Sequence, residues 1–377
     1  MDVSFLEPVF AAAGPYATVC ADVTHTTESA DAELDLRVRA LTEQLAEQGA
    51  PEAVVEAVRA RLTEGNEGGE AGTLKGRAVV VAADGSVVLD QVLADAPARE
   101  TAEWAPHPDL LPVLRQLAGR VPHIVVVADR VGADITVAGL AGQPDEERQV
   151  EGDTFHMRKV KVGGWAHNTY MHTAENQWEE NAGLVIDELT SFARRLQLRF
   201  VLIAGDVRAR QILSDKAPAA WSDLVVTMEE GGRAAGADRE PVERRTAELI
   251  AEHEARDIAT AVEQVQGAGA HGLAVAGTPA VVEALRKGQV ETLVLTDPWD
   301  DDATLLVGSG PLELGVKQQD MDALGVHGEV VPAGAALVEA GVASAAGVLV
   351  VPGAALPGEE PVAAILRYTD ASTPSAQ

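Results

Sequence analysis

The chain has 377 residues, 46% of them hydrophobic but only 3% aromatic, and a formal net charge of −30. Such a length exceeds one ordinary core and implies two or three domains with aliphatic interiors of alanine, valine and leucine. The single cysteine, Cys20, excludes an internal disulfide framework and a cysteine-based zinc cluster, while the acidity excludes indiscriminate nucleic-acid binding, DNA included. The N-terminus, MDVSFLEPVFAAAG, carries acids where a signal peptide needs basic residues, and no apolar run reaches membrane-spanning length. The expectation is a soluble cytoplasmic protein with no membrane partner.

In the first segment, Ala17 to Val23 reads as a strand and Glu28 to Gln48 as an amphipathic helix. Pro51 opens a second helix to about Leu62, because proline is tolerated in a first helical turn. The run Gly65 to Gly76 reads as a flexible loop. Arg77 to Ala82 and Ser86 to Leu93 form a hairpin around Asp84-Gly85. Next, His123 to Gly139 reads as two strands around a turn and Phe155 to Val162 as another. A long helix follows from about Thr173 to Leu196, with Trp178, Ala182, Val185, Leu189 and Phe192 in one apolar stripe. Phe200 to Ala204 is a buried strand, Arg208 to Leu213 starts a helix, and Leu224 to Met228 is a strand.

The turn-rich stretch Gly231 to Pro241 reads as a linker, since GGRAAG lacks the spacing and setting of a dinucleotide fingerprint. A charged helix then runs from Pro241 to about Gln266. The α/β rhythm resumes with a strand at Leu273 to Ala276, a helix at Thr278 to Lys287 with Thr278 as N-cap, and a strand at Thr292 to Leu295. A helix at Ala333 to Ala340 and strands at Val348 to Val351 and Val362 to Leu366 complete it. Strands alternating with helices give an α/β fold class. Residues 1–120, 121–238 and 239–370 are expected as three α/β domains without a shared core, with residues 371–377 a disordered tail. Segment charges of −11 for 1–120, −5 for 121–235 and −14 for 236–377 leave the middle the least acidic.

That middle holds the informative window. From Thr154 to Ala174 the chain reads TFHMRKVKVGGWAHNTYMHTA, without one carboxylate. Arg158, Lys159 and Lys161 precede Gly163-Gly164-Trp165, and His156, His167 and His172 flank them. A basic island around a flexible tip suits approach to a polyanion; the plain alternative is a basic hairpin on an edge strand. The five-residue separation of His167 and His172 is poor for a shared helical metal face. Asn168 and His172 are expected to contact RNA or to cap the helix near Thr173. The acidic run Asp297 to Asp302 lacks EF-hand spacing and reads as a solvated loop, and Asp187, Glu188 and Asp206 read as surface carboxylates. No metal, cofactor or catalytic residue is expected.

Three stretches in order resemble the archaeo-eukaryotic peptide release factor superfamily, which includes the eukaryotic release factor and Pelota. In its middle domain, strands lead to a Gly-Gly-Gln tip on a basic loop before a long helix; here the tip is Gly163-Gly164-Trp165. Gly272 to Asp297 is similar to the family's C-terminal strand, helix and strand, and Val362 to Asp370, VAAILRYTD, to its final strand. The resemblance covers roughly residues 120 to 370 and implies a three-domain release-factor-like architecture with an L7Ae/L30e-like C-terminal domain. The codon-reading Asn-Ile-Lys-Ser loop has no counterpart: Leu45 to Glu56 reads LAEQGAPEAVVE.

Among bacterial members, those with a Gly-Gly-Trp-type tip look most similar, a group that includes the hibernation factor Balon and mycobacterial relatives. The resemblance implies a ribosome-binding hibernation factor that occupies the A site of the 70S ribosome. Arg158, Lys159, Lys161, Gly163, Gly164, Trp165, His167, Asn168 and His172 would face 23S rRNA. By the same resemblance a GTPase of the elongation factor Tu type is the expected second partner. Two glycines let backbone approach RNA where a Cβ would block it. Trp165 stands where release factors place a water-aligning glutamine, and an indole instead stacks on a base. The alternative reading is a peptidyl-tRNA hydrolase or ribosome-rescue release enzyme.

Overall fold

The computed structural model describes residues 3–24, 30–64, 76–93, 96–118, 120–139, 146–151, 165–233, 237–300, 302–356, 358 and 360–370, with backbone alone for 30, 31 and 165–178. The loop expected at Gly65 to Gly76, apart from Gly76, the strand expected at Phe155 to Val162 and the tail after Asp370 lie outside these residues.

The chain begins α1 (Glu7–Ala11), β1 (Tyr16–Asp22), α2 (Ala30–Glu47), α3 (Glu52–Thr63), β2 (Gly76–Ala82), β3 (Val87–Leu93), β4 (Thr101–Ala105) and α4 (Leu111–Ala118). It continues with β5 (His123–Ala128), β6 (Gly132–Ala138), β7 (Glu146–Glu151), α5 (Trp165–Arg195), β8 (Phe200–Gly205), α6 (Val207–Asp215) and β9 (Val225–Thr227). After α7 (Glu240–Ala270) come β10 (Ala274–Ala276), α8 (Thr278–Arg286), β11 (Val290–Asp297), β12 (Thr304–Val307), β13 (Leu314–Gly315) and α9 (Gln318–Leu324). The last elements are β14 (Glu329–Pro332), α10 (Ala333–Ala343), β15 (Gly347–Pro352) and β16 (Val362–Leu366). The molecule is a mixed α/β protein, and each of its described sheets draws strands from one chain segment: β3-β2-β1-β4, β7-β6-β5-β8-β9, β10-β16-β11-β15 and β13-β12-β14.

Two compact units result: Met1–Gly119 with Asp257–Gln377, and Arg120–Arg256. The first corrects the expectation of separate cores. β1 is buried along nearly its whole length, so its sheet is apolar on both faces and needs two covers. Leu34, Val38, Leu45, Val54 and Val58 of α2 and α3 pack on Ala17, Val19, Val79 and Val81. Tyr16, Val80 and Leu89, on the opposite face, join Leu6, Leu110 and Leu114 in one core with Leu285, Leu293, Leu337 and Val338. Neither segment completes its core alone.

An ion pair crosses this shared core: His107 Nδ1 lies 2.6 Å from Glu339 Oε2, both partly buried. The hydrogen bond to Glu339 raises the His107 pKa against the opposing effect of burial. A raised folded-state pKa means that the stabilisation is complete below the unfolded value of about 6.5 and is lost as pH rises through the folded value. Thermal melts between about pH 6 and 8 should therefore show wild type losing stability that His107→Gln does not lose.

The final strand also gains a physical account. The Arg367 guanidinium donates to the carbonyls of Ser344 (3.1 Å) and Ala345 (2.7 Å), just past α10, and the Tyr368 hydroxyl donates to Lys287 O (3.0 Å), just past α8. One Arg-Tyr pair thus satisfies orphan carbonyls at two helix C-termini. A smaller correction concerns Thr278. It is the first residue of α8, and Gly277 at φ +85° occupies the N-cap without a side-chain bond.

Candidate functional site

The middle unit is built on the parallel trio β5, β8 and β9, with β6 and β7 added antiparallel on the β5 side. On one face, α5 and α6 cover Ile124, Val126, Ile135, Val201 and Ile203. The other face meets Val242 and Leu249 of α7, which carries this unit past the expected boundary at residue 238 to Arg256. There Phe200 stacks between His123 (4.7 Å) and His253 (5.6 Å).

The carboxyl edge of the parallel strands is drawn tight by backbone approaches that only glycine permits. Gly205, at φ +106°, closes β8 where a Cβ would run into the backbone of Ala128, its β5 register partner. A Cβ on Gly132 would likewise overlap the Val150 carbonyl. Around this edge the polar groups are committed. Asp129 Oδ1 accepts from Val131 N (2.7 Å) and Gly132 N (2.9 Å), and Arg210 Nε donates to Gly205 O (3.2 Å). Asp206, read from sequence as a surface carboxylate, is in fact the N-cap of α6, accepting from Arg208 N and Ala209 N, and pairs with Arg130 at 3.3 Å.

α5 is the element that carries the candidate site. Its 31 residues give a rod of about 46 Å. Among its described side chains, Asn181, Ala182, Val185, Leu189 and Phe192 are buried, and Asn181 Nδ2 donates to Arg130 O at the sheet edge (3.1 Å). From Asn181 back to Trp165 is about 24 Å of helix. Trp165, His167, Asn168 and His172 lie in this helix backbone, so the capping role expected of Asn168 and His172 near Thr173 is corrected: the helix already runs from Trp165. Arg158, Lys159, Lys161, Gly163 and Gly164 lie outside the described residues.

Two features of the site's base escaped the sequence. β7, EERQVE, has no apolar alternation to announce it; it is a solvent-facing edge strand recognised only through its pairing with β6. Arg233, in the stretch taken for a linker, is largely buried and reaches Asp134 (2.9 Å), Glu151 (3.2 Å) and Asp129 (3.4 Å). Its pKa is raised: burial alone would lower it, but the carboxylates of Asp134, Asp129 and Glu151 outweigh that. Between α5 and α6, a hollow lined by Ala128, Arg130, Asn181, Val185, Ala209 and Leu213 has about 20 Å³, room for one water and not for a metabolite. Among the described residues this edge forms no pocket of metabolite size.

Residues 122–271 match the family model described as bacterial archaeo-eukaryotic release factor family 2. The uncharacterized proteins Rv2629 and MT2704 of Mycobacterium tuberculosis, strains H37Rv and CDC 1551, are each 25% identical over 325 residues, covering 85% of this chain and 84% of theirs. Among solved structures, Archaeoglobus fulgidus Pelota is similar at 15% identity and a TM-score of 0.33, covering 98% of this chain and 92% of its own. Dom34 of S. cerevisiae, a translation termination-like factor that interacts with Hbs1, is similar at 11% identity and a TM-score of 0.40, with coverage of 98% and 92%. The match over residues 122–271 makes the middle segment similar to bacterial archaeo-eukaryotic release factor family 2.

Proposed function

We propose that the protein is a ribosome-binding, release-factor-like hibernation factor of the cytoplasm, which occupies the A site of an inactive 70S ribosome and directs its middle-segment loop toward the peptidyl-transferase centre. The observation that carries this reading is the carboxylate-free window Thr154 to Ala174, leading into α5, in a chain of net charge −30. Arg158, Lys159 and Lys161 neutralise phosphates, which holds orientation without reading sequence. Gly163 and Gly164 bring backbone close to 23S rRNA, Trp165 stacks on a base, and His167, Asn168 and His172 line the approach. Occupation of the site excludes tRNA and shields the catalytic RNA. The unit formed by Met1–Gly119 and Asp257–Gln377 meets ribosomal proteins or a GTPase of the elongation factor Tu type. The direct test is a sucrose gradient: the protein should travel with vacant 70S ribosomes, and failure to do so at any salt concentration ends the proposal.

Trp165 separates a plug from a release enzyme. Trp165→Ala should weaken occupation by about 1 to 3 kcal/mol, the value of one base-stacking contact. Neither protein should release nascent chains from stalled complexes. Robust release by wild type that Trp165→Ala abolishes would establish a peptidyl-tRNA hydrolase instead. Release gained only by Trp165→Gln would put the loop at the catalytic centre with the wrong side chain for hydrolysis.

A further inference from the structure

Strand β4, TAEWA, is a sheet edge: among the described residues it pairs only with β1. Alternate residues of an antiparallel edge turn N–H and C=O away from the ladder, where they stand ready to pair with another strand. On β4 such groups are already taken by side chains of α2 and the turn that ends it. Ala102 O accepts from Nε2 of Gln44 (2.9 Å) and of Gln48 (3.0 Å), and Trp104 N donates to Gln48 Oε1 (2.7 Å). The Gln48 amide thus both donates to the edge and accepts from it, as the peptide groups of an added strand would. We propose that Gln44 and Gln48 are an edge guard: they occupy the strand-addition groups of β4 and so keep a second copy of this chain from pairing its own β4 there.

The placement follows from helix geometry. Gln48 N still bonds Gln44 O (3.2 Å), so the two side chains, four positions apart, leave the same helical face. Leu41 and Leu45 are buried in the core under α2 and hold the helix against the sheet. The role is exclusion rather than stability. Both glutamines are exposed, water would satisfy an open edge, and ordering two flexible side chains costs rotamer freedom. Two other edge strands are guarded differently: β7 carries Glu146, Glu147, Arg148 and Glu151, and the β2–β3 pairing shifts register between Val80 and Val81. β4 has a single charged residue, Glu103. Its sequence is also self-complementary. In an antiparallel two-fold pair centred on Glu103, the small Ala102 of each copy lies opposite the large Trp104 of the other. The two Glu103 carboxylates then face each other and add a weaker barrier of their own.

Self-association of the full chain tests the guard. In sedimentation velocity over a concentration series, Gln44→Ala with Gln48→Ala should dimerise at least about tenfold more tightly than wild type. Adding Glu103→Cys, in a chain whose native cysteine is buried, should give a disulfide-linked dimer only when both glutamines are replaced. In the dilute double variant, the Trp104 amide should exchange about tenfold faster than in wild type while β2 stays protected. Association no tighter than wild type overturns the proposal, and so does association without a cross-link through Glu103→Cys. An equal rise of exchange in β2 would show general loosening and overturn the guard. Binding of a synthetic alternating threonine–valine peptide in place of self-association would put an extended peptide at this edge and overturn the choice of a second copy. If the double variant fails to fold, Gln48→Ala alone, which releases Trp104 N–H, is read in the same assays. Association and exchange like those of wild type would then refute the guard.

Discussion

Replacing Arg158, Lys159 and Lys161 together by alanine should lower affinity for vacant 70S ribosomes by about a hundredfold near 0.1 M salt. Each cation that neutralises a phosphate releases condensed counterions, so log K falls with log salt by about 0.7 to 0.9 per contact. Three lost contacts should flatten that slope by about 2 to 3. The charge of the rest of the chain sharpens the expectation. Several other cations of the middle unit are already paired with carboxylates: Arg130 with Asp206, Arg148 and Arg195 with Glu146, Lys216 with Glu179 and Arg233 with three carboxylates. The window is where the sequence provides cations with no carboxylate among them. Filter binding or sedimentation across a salt series measures both quantities. Unchanged affinity and slope would remove the window from the interface.

Gly205→Ala should be the most damaging single methyl group in the middle unit, costing about 3 to 5 kcal/mol. Two penalties combine. A φ of +106° is strained for any residue with a Cβ, and the new carbon would overlap the Ala128 backbone at the centre of the sheet. Relief requires parting β5 from β8, which breaks the Asp206 N to Ala128 O bond (2.9 Å) and the register that seats α6. The midpoint of thermal unfolding should drop by about 10 °C. Gly183→Ala on α5 is the control: nothing lies within 4 Å of its Cβ position, and the helix should gain about 0.5 to 1 kcal/mol. Equal melting of the two variants would mean that the β5–β8 approach can relax.

Periodicity and punctuation determined much of this protein in advance. Buried strands such as Phe200–Gly205 and Val362–Leu366 are short apolar runs between turn signals, and the Asp84-Gly85 turn dictates the β2–β3 hairpin. The unusual window around Gly163-Gly164-Trp165 is visible by composition alone, because the absence of acids is a property of sequence. Elements without such a signature escaped. β4, β7 and β14 are short edge strands whose exposed residues have no reason to alternate, and they become strands only by pairing. Extension of α5 to Trp165 was hidden because its first turns, WAHNTYMHTA, carry no apolar stripe.

What only the tertiary structure decided is who supplies the second cover and the countercharge. The sequence of β1 announces a strand buried on both faces, yet not that residues beyond 270 would close one of them. Arg233 looks like a linker residue because its three carboxylates lie 82 to 104 positions away. Hydrophobic pattern is local and survives in sequence. The pairing of one guanidinium with distant carboxylates exists only after the chain has brought them together, which is why the chemistry at the loop's base required the fold.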